Sequence, residues 1–233
     1  MPFFPQFSNL FVAPYIQPAA VTPIPPNDIN GLELWLDAGS DVTLDGDIVT
    51  AWQDQSGNGN DAIPVNDPLF VSSLINGNPA IEGISNGAYF YLTSNIPIIK
   101  TVVCVFKTNE IGSGYQAIVE SGFGMYASID ESKFGTYLNA EIGYASLSNN
   151  TAYILGIVSS DGINSSGYIN QSSYSSSSGS GFANRGYVQI GAGQNGGQPS
   201  DGYIAEVVIY SVAISENNRL GLFSYLNNKY AIY

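Results

Sequence analysis

The chain has 233 residues, of which only 11% are charged, and its six basic residues stand against nineteen acidic ones for a formal net charge of -13. That balance repels phosphate backbones and anionic lipid surfaces, so neither nucleic acid nor membrane insertion is expected. With no histidine and one cysteine, a zinc site, a Ser-His-Asp triad and an internal disulfide are set aside.

Residues 1–30 collect prolines (Pro2, Pro5, Pro14, Pro18, Pro23, Pro25, Pro26) among apolar residues and read as an extended arm. Its aromatics Phe3, Phe4, Phe7, Phe11 and Tyr15 are the expected docking residues, on a partner or on the domain itself, because an apolar stretch in water marks an interface. The amino terminus shows no basic region followed by an apolar run, so neither a secretion signal nor a membrane span is expected.

From residue 31 to 233 the pattern is that of one all-β domain. Strands are predicted at 32–37, 48–52, 79–84, 88–92, 99–107, 115–120, 123–129, 133–138, 152–159, 165–170, 186–191 and 202–210. In the first, Leu32, Leu34 and Leu36 alternate with Glu33, Trp35 and Asp37. Cys104 lies in an apolar run and reads as a small core residue. Turn signals such as Asp45-Gly46, Asn76-Gly77 and Asn195-Gly196-Gly197 punctuate the strands, whereas the serine-rich run 172–181 reads as a mobile loop. Ser215 is placed to cap a short helix with Leu220, Phe223 and Leu226 at helical spacing, ending near Asn227-Asn228. The expected architecture is a two-sheet antiparallel jelly-roll sandwich with a short C-terminal helix and an extended N-terminal arm.

Two motifs offer binding chemistry. Asp54, Asn58, Asn60 and Asp61, in a loop with Gly57 and Gly59, could supply oxygens to Ca²⁺, the one candidate cofactor; the same residues suit Asx turns that need no ligand. Tyr168, Asn170, Gln171 and Tyr174, with Gln194, Asn195, Gln198 and Asp201, combine rings that stack on sugars with amides that read hydroxyls, and form the candidate glycan set.

Trp35-Leu-Asp-Ala38, Val49 to Ala62, Ile75 to Ile81, Gly202 to Tyr210, and Tyr225-Leu226 with Lys229-Tyr230 together resemble the laminin-G-like branch of the concanavalin-A-like lectin/glucanase superfamily. The resemblance implies two curved antiparallel sheets with the first and last strands adjacent, and an occurrence among glycan-binding or adhesive modules of bacterial proteins and virus particles. Glucanase members use an E-x-D-x-E strand that places carboxylates on one face, and no such run exists here, so no enzyme is expected. The arm, the polar tyrosine-rich domain and the missing export signal lead to the expectation of a non-catalytic bacteriophage structural protein, a head decoration, fibre or tail component. It would be located on the virion, with other virion proteins bound through residues 1–30, a host-surface glycan as a further partner, and self-association into an oligomer. The alternative is an extracellular carbohydrate-binding module attached to no particle.

Overall fold

The computed structural model of the chain describes residues 21–82, 87–110, 115–121, 124–128, 133–137, 141–160, 165–176 and 187–233. Strands β1 (Leu32–Asp37), β2 (Val42–Asp45), β3 (Ile48–Trp52), β4 (Ala62–Val65), β5 (Leu69–Ile75), β6 (Asn78–Glu82) and β7 (Tyr89–Leu92) come first. Then follow β8 (Thr101–Thr108), β9 (Tyr115–Glu120), β10 (Gly124–Ser128), β11 (Lys133–Tyr137) and β12 (Glu141–Ser146). The last are β13 (Ala152–Ser159), β14 (Ser165–Ile169), β15 (Ser172–Ser176), β16 (Gln189–Ile190) and β17 (Gly202–Tyr210), before helix α1 (Glu216–Tyr230).

Antiparallel pairing arranges these strands in two layers. One runs β1-β17-β8-β13-β14-β15. The other runs β3-β4-β7-β16-β9-β10-β11-β12, with β2 on β3. The β5–β6 hairpin joins the layers, β5 pairing with β3 and β6 with β17. Between them lies a core to which the first layer gives Leu34, Leu36, Cys104, Phe106, Leu155 and Val207, and the second Trp52, Phe90, Ile118, Val119, Phe134 and Ile190. Each such side chain taken fully from water contributes about 1.5–3 kcal/mol. The all-β sandwich read from the sequence is the observed fold, and the first and last strands are neighbours. Cys104 is fully buried, and burial raises its thiol far above the ordinary value, which leaves it an inert core residue.

The free face of the first layer is covered by α1, whose Leu222, Phe223, Leu226 and Tyr230 pack with Val103, Val105, Ile154, Ala205 and Val208. Ser215 caps the helix by accepting from the Asn218 amide at 3.2 Å. The helix continues past Asn227-Asn228 to Tyr230, because the β5–β6 hairpin supplies partners for its last carbonyls. Asn78 Nδ2 donates to the Lys229 carbonyl at 2.8 Å, and Asn76 Nδ2 to those of Tyr230 and Ala231 at 2.8 and 2.9 Å.

Two elements depart from the sequence pattern. Leu32 does not share the inward face of Leu34 and Leu36: a register shift between Leu32 and Leu34 turns it toward the helix-side cluster. Ser172–Ser176, read as loop, is strand β15, because antiparallel pairing with β14 overrides its polar composition. Residues 21–30, the end of the arm, lie on the domain itself, one of the two placements expected for it. The Ile24 amide donates to the Gly221 carbonyl at 2.9 Å, Pro26–Asp28 form a 3-10 turn, and Tyr210 Oη donates to the Pro26 carbonyl at 3.2 Å. Phe3, Phe4, Phe7, Phe11 and Tyr15 lie outside the described residues.

Candidate functional site

Trp35 and Asp37 of β1 meet Glu206 of β17 and Lys229 and Tyr230 of α1 in a polar cluster. Glu206 is 1% exposed. Its Oε1 accepts from Trp35 Nε1 at 2.8 Å, while its Oε2 accepts from Lys229 Nζ at 2.8 Å and from Tyr230 Oη at 2.9 Å. Lys229 Nζ also donates to Asp37 Oδ2 at 2.5 Å. Burial pushes the Glu206 carboxyl above its usual range, against the opposing pull of Lys229. For Lys229, burial acts downward, but Glu206 and Asp37 together outweigh it and hold the ammonium above its ordinary value. Every carboxylate oxygen of Glu206 is engaged, so the cluster ties β1, β17 and α1 together and offers no group to a ligand.

The Asp54 loop is built the same way. Asp54 Oδ1 accepts from the amides of Trp35 and Ser56, both at 2.9 Å, and Oδ2 from Ser56 Oγ at 2.7 Å and the Asn60 amide at 3.0 Å. Asp61 Oδ1 accepts from the Asp54 amide at 2.9 Å. Asn58 Nδ2 and Asn60 Nδ2 donate to the carbonyls of Leu32 and Glu33 at 2.9 and 2.7 Å. The four residues considered for Ca²⁺ are thus brought together, but as the latch that fastens this loop to β1. Among the described residues no group of three or more acidic or thiol side chains could hold a metal ion.

The candidate glycan set is divided. Tyr168, on β14, sits under the helix with Arg219 stacked 4.2 Å from its ring centroid and Phe223 edge-on at 6.3 Å. Asn170 forms the β14–β15 turn at φ 52°, its Oδ1 accepting from the Ile154 amide at 2.9 Å; Gln171 beside it is exposed. Tyr174 lies on β15. Asp201, just before β17, accepts from Asn109 Nδ2 at 3.0 Å. Gln194, Asn195 and Gln198 lie instead in the turn beyond β16, with Asn195 and Gln198 exposed and both at positive φ.

That turn borders a site the strand spacing did not reveal. Ile63, Tyr91, Gln189, Glu120 and Gly124 stand directly opposite one another across β4, β7, β16, β9 and β10. The adjacent Phe90, Ile190 and Val119 point into the core, so this row faces outward by the alternation of the strands, on the side of the sandwich away from α1. Tyr91 is 43% exposed, whereas Glu120 and Gln189 are each 8% exposed. Glu120 Oε1 accepts from Tyr187 Oη at 3.0 Å, while Glu120 Oε2 and Gln189 Oε1 are buried without a hydrogen-bond partner. Buried oxygens of this kind are costly unless a donor reaches them.

The turn is folded against this row. The Gly193 amide donates to the Gly197 carbonyl at 2.6 Å, and the Ala117 amide to the Gln198 carbonyl at 2.9 Å. Gly196 rests on the Tyr89 ring, where an added Cβ would lie 2.9 Å from it. At Gly193 an added Cβ would lie 2.5 Å from Glu120 Oε2, so the missing side chain leaves the carboxylate its room. The result is a polar patch with a carboxylate and two amide side chains, beside the rings of Tyr89, Tyr91 and Tyr187. The alternation Tyr89-Phe90-Tyr91-Leu92 and Tyr187-Val188-Gln189-Ile190 signals outward polar rings and amides; only the β16–β9 pairing brings Glu120 to them.

No family model matches the sequence, and no curated protein matches it. Solved structures share its fold at low identity. Trypanosoma rangeli sialidase in complex with sialic acid matches with a TM-score of 0.62 at 14% identity over 91% of this chain, which spans 36% of the sialidase chain. Domain 4 of AbnA, a GH43 extracellular arabinanase from Geobacillus stearothermophilus, solved with arabinotriose, matches at 0.58 and 13% identity over 82% of this chain and 98% of that domain. The binding domain of Paraclostridial Mosquitocidal Protein 1 matches at 0.57 and 15% over 85% of this chain and 53% of that one.

These likenesses correct the expectation that the chain is not an enzyme. That expectation rested on the missing E-x-D-x-E run, yet the fold is shared with chains of glycoside hydrolases. The missing run excludes one retaining geometry and not hydrolysis.

Proposed function

We propose that the chain is a carbohydrate-binding β-sandwich of the concanavalin-A-like, laminin-G-like type, and that its glycan lies on the outward row of Tyr91, Gln189 and Glu120 beside the turn of Gln194, Asn195 and Gln198. The observation that carries this reading is the buried, unpartnered pair of oxygens on Glu120 and Gln189 next to an exposed tyrosine. Sugars supply what such a surface lacks: hydroxyl donors for the oxygens and C–H faces for the ring. The solved complexes with sialic acid and with arabinotriose are in keeping with a sandwich used near sugars. A screen of the full-length protein on immobilised oligosaccharides, read for both retention and released product, tests it. Retention lost in Tyr91→Ala and Gln189→Ala supports the reading; retention unchanged in both contradicts it. Product release abolished by Glu120→Gln would extend it to hydrolysis.

Attachment to a bacteriophage particle is a further proposal, supported by residues 1–20, which hold no charged residue and five aromatics. In that setting the arm would bind other virion proteins and the sandwich would face the host surface. Replacing Phe3, Phe4, Phe7, Phe11 and Tyr15 by serine in the full chain is expected to abolish incorporation into particles. Incorporation at the wild-type level would refute it.

A further inference from the structure

We infer that the outward row around Glu120 selects uncharged sugars, through hydroxyl groups that donate to Glu120 and Gln189, and rejects glycans that present a carboxylate there. This rests on the glycan-binding reading above and specifies its ligand class.

The lining carries it. Glu120 and Gln189 are register partners on neighbouring strands, a spacing of about 4.5–5.5 Å between Cβ atoms that two adjacent hydroxyls of one sugar ring can bridge. On each, one side-chain oxygen is buried and has no hydrogen-bond partner, and each residue is more than nine-tenths buried. The surroundings repeat the same polarity. The point that a Cβ on Gly193 would occupy lies 2.5 Å from Glu120 Oε2, 3.0 Å from the Gly197 carbonyl oxygen and 3.4 Å from Gln198 Oε1. These three acceptors crowd the Gly193 side of the row. A sugar hydroxyl donates to such a set, whereas an ionised carboxylate is acceptor-only and would also meet the charge of Glu120. Two of the six basic residues, Arg219 and Lys229, are held in ion pairs with Glu216 and with Asp37 and Glu206 on the helix side of the sandwich. The net charge of -13 adds to the rejection at long range.

The test uses the full-length protein with pairs of oligosaccharides that differ only in whether the terminal residue is neutral or is a uronic or sialic acid. At low salt the neutral member is expected to bind at least roughly tenfold tighter, a gap that narrows as salt rises. Glu120→Gln keeps the shape and removes the charge, so it should weaken the neutral member and shrink the discrimination. Gly193→Ala should lower affinity for both members by pushing the Glu120 carboxylate out of place, with unfolding curves recorded to show that each variant is folded. Equal or tighter binding of the acidic member by the wild type overturns the selectivity while leaving glycan binding in place. Binding of neither member overturns both.

Discussion

A single lysine holds the ends of this domain together. Lys229 is shared between Asp37 on β1 and Glu206 on β17, and Glu206 also accepts from Trp35 and Tyr230. Removing one partner from such a group leaves a charge buried without compensation, which costs more than the pair itself contributes. Lys229→Met is therefore expected to lower stability by about 3–5 kcal/mol in denaturant unfolding. Adding Glu206→Gln to it should recover part of the loss. An additive double variant would contradict the account. The residue types were legible in sequence, since Glu206 is the one charged residue between Gly202 and Tyr210. Its partners were not, because Asp37 and Lys229 lie near opposite ends of the chain and only the β1–β17 pairing and the docked helix bring them within reach.

At the level of elements, strands with an apolar inward face were readable and those defined by pairing alone were not. Leu32–Asp37, Tyr115–Glu120, Ala152–Ser159 and Gly202–Tyr210 follow directly from their patterns, while Ala62–Val65 carries a proline and Ser172–Ser176 is nearly all serine. The candidate site suffered the same limit: Gln194, Asn195 and Gln198 border it, but Tyr168 and Asn170 belong to the β14 hairpin, and Glu120 and Gln189 are joined only by tertiary pairing. Helix α1 shows a further contact that spacing hides. Gly221 gives Ile24 its place, since a Cβ there would lie 2.5 Å from two atoms of the Ile24 side chain. Alanine is intrinsically better than glycine in a helix by about 1 kcal/mol. Gly221→Ala should nonetheless raise hydrogen exchange in residues 21–30 without unfolding the sandwich, and unchanged exchange there would show that the segment does not depend on this contact.

Over the whole molecule, pH reads out how many polar groups the fold has taken from water. Burial, ahead of the nearby carboxylates where these act, raises Tyr203, Tyr210, Tyr225 and Tyr230 above their ordinary value of 10.0. Lys229 is held above 10.5. In each case the folded form keeps its proton where the unfolded form gives it up, so the stabilisation is full below about pH 10 and is lost as pH rises beyond it. The melting temperature should fall steeply above about pH 10, with tyrosine ionisation appearing together with unfolding. Ionisation of all tyrosines before unfolding would contradict the burial described.

The central claim is that a glycan lies on the outward row of β7, β16 and β9. Backbone amide shifts of the full-length protein, titrated with a neutral oligosaccharide it retains, test that most directly. Shifts concentrated at residues 89–91, 119–121, 187–190 and 193–198 are predicted. Shifts confined to the Asp54 loop or to the β14–β15 turn would place the sugar elsewhere and contradict the account.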